Sequence, residues 1–222
     1  MLANKSIVKS EFEPLTGSVT VKEAKRRMGE QEMNTLPVVD STTQKLIGQV
    51  ALDQLESLDE DTLISDVVLE EALKIFQGQH IFEVARLMFQ YELYTIPVVD
   101  DQQTYLGVIT KQQVLEALSK MLNLAEFGSV VTVSLDPIDF TISEIVQIIE
   151  TEGAKILGLT VESPDSGKQI FEVSFKLNVR DVSRIKAALN RYGYTVLAES
   201  ESTAYGQDLE NRADELLKYI DM

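Results

Sequence analysis

The chain has no cysteine and a single histidine in 222 residues. The first absence removes disulfides and thiolate chemistry, and the second leaves no basis for a His-rich catalytic metal site. Bases are scarce as well. Twenty Lys and Arg face 36 Asp and Glu, for a formal charge of −16, which argues against a nucleic-acid backbone or an anionic membrane as partner. No apolar run approaches the roughly 20 residues needed to cross a bilayer, and the N-terminus lacks the apolar stretch of a signal peptide. A cytoplasmic location is therefore expected. Gly-rich phosphate loops and the HExxH and GxSxG patterns are missing, and no two carboxylates pair into a defined acid/base site. An enzyme would be starved of parts, so none is expected.

What is present is a repeat. Leu36-Pro37-Val38-Val39-Asp40 returns as Ile96-Pro97-Val98-Val99-Asp100, a shift of 60 residues. Val21, Glu23, Ala24, Arg26 and Met28 are answered at that shift by Ile81, Glu83, Val84, Arg86 and Met88. Leu46 to Val50 is answered by Tyr105 to Ile109 after one residue is dropped from the turn. A duplicated supersecondary unit is what a fold uses when neither copy buries its apolar face alone. Each copy reads helix, strand, strand, helix. Thr20 and Glu23 have capping-box spacing, and Leu36 to Val39 suits a parallel strand buried on both sides. In the second copy the pattern predicts a helix near 81–91, strands 96–99 and 105–109, and a closing helix over about 111–122. Two such units would pack sheet against sheet about a pseudo-two-fold, with clefts between them. Between Leu46 and Leu73 lie eight acids and no base, a solvated linker face.

Around Glu126 to Ser129 the pattern changes. Val131, Val133 and Leu135 alternate with Thr132 and Ser134, as in a half-buried strand. An apolar helical stripe follows (Ile142, Ile145, Val146, Ile149), then strands over 155–162 and 169–178 flanking a Ser163–Gly167 turn. A helix through Val182, Ile185, Ala188 and Leu189 leads to a last strand at 194–198. The order is βαββαβ, a ferredoxin-like module. The tail over 208–220 places Leu209, Ala213, Leu216, Leu217 and Ile220 on one helical face, which must dock on its own chain or on a partner.

With both copies laid out, the first ~125 residues resemble a tandem pair of CBS domains, on the strength of the Thr20-Val21-x-Glu23-Ala24 helix start, the two (Leu/Ile)-Pro-Val-Val-Asp strands and the strands closing each repeat. The following module is similar to an ACT domain by element order, and the whole resembles bacterial CBS-pair proteins of the acetoin-utilisation type. The fold class expected is thus α/β and α+β, a CBS-domain pair followed by a ferredoxin-like, ACT-like domain. The divisions are 1–62 and 63–125 for the repeats, 129–202 for the ACT-like domain and 203–222 for a C-terminal helix. The resemblance implies regulation: adenine nucleotides (AMP, ADP, ATP) or S-adenosylmethionine bound in the CBS clefts, amino acids at ACT interfaces, and a homodimer acting on an unnamed downstream protein.

The sequence departs from the ligand motif of that family, Gly-h-h-(Thr/Ser)-x-x-Asp. Its hydroxyl and the free helix N–H groups suit a phosphate, and its carboxylate suits ribose hydroxyls. In the first repeat Ala51 and Gln54 hold those positions, and Asp53 sits one residue early, turned about 100° away on a helix. In the second repeat Thr110 is kept and Gln113 replaces the acid, forfeiting charge-assisted bonds that are roughly twice as strong. Lys111 adds a cation where phosphates would lie. A ligand is accordingly expected in the second cleft, lined by His80, Ile96, Pro97, Thr110, Lys111 and Gln113. His80 also reads simply as an exposed helix-start residue, and Arg26 and Arg86 as partners of Glu23, Glu30 or Glu83 on helix surfaces. The ACT-like loop Asp136 to Ser143 lacks the expected Gly, and Asp139 would repel a carboxylate; Thr141 reads as a helix N-cap. Two functions stay open. One is a sensor that changes shape on binding an adenosyl ligand; the other is a dimerisation scaffold with degenerate sites.

Overall fold

In the computed structural model, residues 12–31, 33–136, 141–164 and 170–201 are described. The tail helix expected over 208–220 and the loop residue Asp139 lie outside them. The chain divides into two compact units, Met1–Leu118 and Ser119–Met222.

The first unit holds the repeat. Copy one is α1 (Val21–Glu30), β1 (Thr35–Val39), β2 (Leu46–Ala51) and α2 (Leu52–Glu56); copy two is β3 (Ile75–Phe76), α3 (Ile81–Gln90), β4 (Thr95–Val99), β5 (Tyr105–Thr110) and α4 (Lys111–Met121). Helix α1 starts at Thr20, whose hydroxyl accepts from the Glu23 N–H at 3.3 Å. Its inner stripe of Val21, Ala24 and Met28 is buried, as is Ile81, Val84 and Met88 in α3. Strands β1 and β4 are buried on both faces as expected, but their main partners, β2 and β5, run antiparallel to them. Parallel pairing comes from short segments that carry no periodic signal. Leu15 bridges Val38, and Ile75–Phe76 pairs with Val98 and Val99. Leu15 and Ile75 occupy equivalent places, and both are fully buried.

The strand-closing aspartates shape the turns. Asp40 Oδ1 accepts from the Thr42 and Thr43 N–H groups at 3.0 and 2.6 Å, and Asp100 Oδ1 from Gln102 and Thr104 at 2.9 and 2.7 Å. The amide and hydroxyl of Thr43 hold the Asp40 carboxyl below the ordinary carboxylate range. The turns then meet each other: Leu46 N–H donates to Gln103 O at 3.0 Å and Tyr105 N–H to Gln44 O at 2.9 Å. Leu46, Ala72 and Val99 form a small apolar cluster beneath them, with Tyr105 packed against it.

The second unit is β6 (Ser129–Leu135), α5 (Ile142–Thr151), β7 (Ile156–Glu162), β8 (Phe171–Leu177), α6 (Ser183–Arg191) and β9 (Thr195–Glu201). The strands form one antiparallel sheet in the order β7-β8-β6-β9, the ferredoxin-like arrangement. Val131, Val133 and Leu135 face a core shared with Ile145 and Ile149 of α5, Ile185 and Leu189 of α6, and Phe175. Thr141 does hold the N-cap position of α5, but its side chain makes no capping bond; the expectation of a hydroxyl cap there is corrected.

Gly128 opens β6 at φ +147°, and a Cβ there would stand 1.8 Å from the Leu177 carbonyl oxygen. Gly128→Ala should therefore cost about 2 kcal/mol or more through backbone displacement and strain. Amide hydrogen exchange checks this: protection in β6 and β8 is expected to fall, and unchanged protection would contradict the close approach.

Candidate functional site

Helix α4 begins where β5 ends, and two side chains fix that junction. Thr110 Oγ1 accepts from the Gln113 N–H at 3.2 Å, and Gln113 Oε1 accepts from the Thr110 N–H at 2.8 Å. This is a reciprocal capping box, which satisfies two otherwise orphaned donors. Lys111 follows at the first helical position. Its N–H donates to the Tyr94 carbonyl at 2.8 Å, and its ammonium lies 5.5 Å from the centroid of the Tyr94 ring.

These residues open onto a cleft of about 400 Å³ within the first unit. Tyr94, Thr110, Lys111 and Gln113 line it from the second repeat; Gln31 and Met33, which follow α1, line it from the first. Phe12 completes the wall, and its carbonyl accepts from the Tyr105 hydroxyl at 3.1 Å. Burial pushes the Tyr105 phenol well above its ordinary range, so that hydroxyl remains a donor. The cleft also carries Glu116, bonded to Gln112 at 3.2 Å. One cation, one carboxylate, three amides and two aromatic rings thus surround the N-terminus of an 11-residue helix, whose dipole favours an anion.

Of the six residues assigned from sequence to a second-repeat site, the structure brings Thr110, Lys111 and Gln113 together. Ile96 and Pro97 are buried in β4 and do not line the cleft. His80 caps α3, accepting from the Phe82 N–H through Nδ1 at 3.3 Å, and stacks edge-on against the Phe82 ring at 4.6 Å. Phe12, Gln31, Met33 and Tyr94 were not legible as cleft residues. Arg26 pairs with Glu23 at 2.7 Å and with Glu30, and Arg86 with Glu83 at 2.9 Å, on helix surfaces as read. Hydrogen bonds from Arg26 and Arg27 lower the Glu23 carboxyl to about 2.

The first repeat differs at the equivalent place. Ala51 caps α2 with no side-chain bond. The Gln54 amide donates instead to the Val68 carbonyl at 2.5 Å, and its Oε1 is buried with no hydrogen-bond partner. The linker residue Glu70 pairs with Gln49 of β2, exchanging N–H···O bonds at 3.0 Å in both directions. A Cβ on Gly48 would meet Glu70 O and Leu69 Cβ at 2.8 Å. The linker thus lies against the strand that leads into α2.

Residues 64–120 match the family model of the CBS domain. The first repeat carries the same helix–strand–strand–helix order, offset by 60 residues to the turn and by 59 after it. The second repeat matches the CBS domain, and the N-terminal unit has the fold of a CBS domain pair. Over 117 residues the chain is 26% identical to the magnesium transporter MgtE of Enterococcus faecalis, covering 51% of this chain and 26% of the transporter. It spans about a quarter of that curated relative's length. Among solved structures, a CBS domain pair/ACT domain protein from Thermotoga maritima shares 25% identity at a TM-score of 0.49, covering 54% of this chain and 98% of that one. CBSX2 in complex with AMP shares 21% identity at a TM-score of 0.47, over 54% and 96%. No helix among the described residues is long and apolar enough to cross a membrane.

The capping box gives Thr110 of the CBS pair a structural duty whether or not a ligand is present. Thr110→Ala should lower the stability of the ligand-free protein by about 1 kcal/mol, measured by urea denaturation. Unchanged stability would show that the box does not hold α4.

Proposed function

We propose that the CBS pair is a regulatory module that takes an adenine nucleotide or related adenosyl ligand into the second-repeat cleft, and that it acts through a homodimer on a separate downstream protein. The observation that carries this reading is the convergence of Lys111 and the α4 N-terminus with Tyr94 and Phe12 in a cleft of about 400 Å³. Pockets of roughly 300–1,000 Å³ are typical of small-molecule sites. The chemistry divides naturally. Phosphate suits the Lys111 ammonium and the positive end of the α4 dipole, and a flat base suits the two rings.

The capping box alters the ribose end. Gln113 Oε1 is already committed to the Thr110 N–H, so the side chain offers its two amide hydrogens outward. It donates to sugar or phosphate oxygens where an Asp would accept from hydroxyls. Thr110 Oγ1 accepts from Gln113 N–H and keeps its own proton to donate. The ligand favoured here is rich in acceptors, which fits phosphates better than a bare adenosyl group. CBSX2, solved with AMP, is a precedent in a protein of similar fold.

A ligand-independent scaffold is the second reading, favoured by the first repeat, where Ala51 and the engaged Gln54 supply neither anchor. Because Thr110 also supports the helix, Lys111 is the cleaner probe. Isothermal titration with AMP, ADP, ATP and S-adenosylmethionine is expected to show one of the phosphorylated compounds binding, and Lys111→Glu to weaken it by roughly 30-fold or more through the lost charge-assisted bond and the reversed charge. Absence of binding across the panel would leave the scaffold; binding unaffected by Lys111→Glu would move the site elsewhere.

A further inference from the structure

One wall of the cleft comes from far away in the chain. Phe12 lines it, and the Phe12 carbonyl accepts from the Tyr105 hydroxyl at 3.1 Å. Three residues on, Leu15 is fully buried and bonded to β1 in both directions. Its N–H donates to the Pro37 carbonyl and its carbonyl accepts from the Val39 N–H, each at 2.8 Å. Glu13 and Pro14 stand between, and a proline has no N–H with which to anchor the backbone. The segment carrying Phe12 is thus held at Leu15 by the sheet and at Phe12 by the phenol.

The other half of the repeat shows what the fold itself needs at these positions. Leu15 answers Ile75, so Phe12 answers Ala72, and Tyr105 answers Leu46 beyond the turn. Leu46 and Ala72 share the small apolar cluster under the turns. The reciprocal pair, Tyr105 and Phe12, puts a hydroxyl and an aromatic ring where two aliphatic side chains suffice. Both additions lie at the cleft that keeps Thr110 and gains Lys111. Burial keeps the phenol protonated, so it stays a donor across the ordinary pH range.

We propose that Tyr105 is a positioning residue of the second-repeat cleft: its phenol clasps the backbone of Phe12 and so holds the Phe12 ring in place as a face for the base of the ligand. A ring fixed before the ligand arrives spares the cost of ordering it on binding. This role rests on the nucleotide reading of the cleft, and it adds which residue prepares the base-facing wall.

Calorimetric titration of the full chain with AMP and with ATP tests it, comparing wild type, Tyr105→Phe, Phe12→Ala and the double variant. Tyr105→Phe keeps the ring and removes the hydroxyl alone. It is expected to weaken binding about 5-fold, in keeping with one net hydrogen bond, and Phe12→Ala roughly 30-fold through lost stacking. The double variant is expected to bind as Phe12→Ala does, because the clasp then has no ring to hold. A hydroxyl that serves the fold alone gives a different pattern. Tyr105→Phe would then weaken binding equally with Phe or Ala at position 12, or not at all, and either result would overturn the proposal. Thermal melts establish that each variant is folded.

A second measurement needs no ligand. The chain has no tryptophan, so Phe12→Trp places a single indole emitter at the cleft wall. Its nanosecond fluorescence anisotropy is expected to report a restricted ring, loosened when Tyr105→Phe is added. Equal anisotropy with and without the hydroxyl would overturn the clasp and leave the nucleotide reading standing. A ring loosened as expected in a protein that binds neither AMP nor ATP would overturn the nucleotide reading, and the role of the ring with it.

Discussion

Each repeat of the N-terminal unit ends its hairpin with backbone groups that its own strands do not satisfy, and the other repeat satisfies them. Leu46 N–H reaches Gln103 O, Tyr105 N–H reaches Gln44 O, and Lys45 bridges Thr104. The two-stranded sheet of the first repeat is marginal by itself in water, and this exchange, with Leu46, Ala72 and Val99 packed beneath it, joins it to the second repeat. Asp40 and Asp100 matter for the same reason. They fix turns whose left-handed residues, Gln44 at φ 58° and Gln103 at φ 68°, present those carbonyls to the other copy.

Once the halves are locked together, their sequences are free to diverge wherever the pairing does not constrain them. At the α4 start the second repeat keeps a hydroxyl and uses Gln113 to close a capping box. At the α2 start the first repeat loses the hydroxyl and turns Gln54 toward the linker. The outer helix faces diverge as well, charged on α1 and aromatic on α3.

Much of this architecture was legible in the residues. The 60-residue offset located both helix–strand–strand units, because β-branched strands and a helical apolar stripe recur in register. The βαββαβ order followed from alternation through Val131, Val133 and Leu135. What escaped were contacts without a period. Ile75–Phe76 is two residues long, Leu15 acts singly, and Phe12 reaches the cleft through a bond to Tyr105 that spans 93 positions. The box at Thr110 and Gln113 has the same spacing that marks Thr20 and Glu23, but a Gln in the place of a ligand-binding Asp draws attention to the ligand and away from the helix. Ile96 and Pro97 illustrate the converse. Their place in a repeated motif reflects burial in β4 rather than the cleft.

The proposed function requires that, of two copies of one fold, one carries the working site. Backbone NMR of the full chain, titrated with AMP and ATP, tests it directly. Shifts are expected at Tyr94 and across Thr110 to Gln113, with Ala51 to Gln54 unmoved at the same ligand concentration. Equal perturbation of both helix starts, or movement confined to the first, would contradict it.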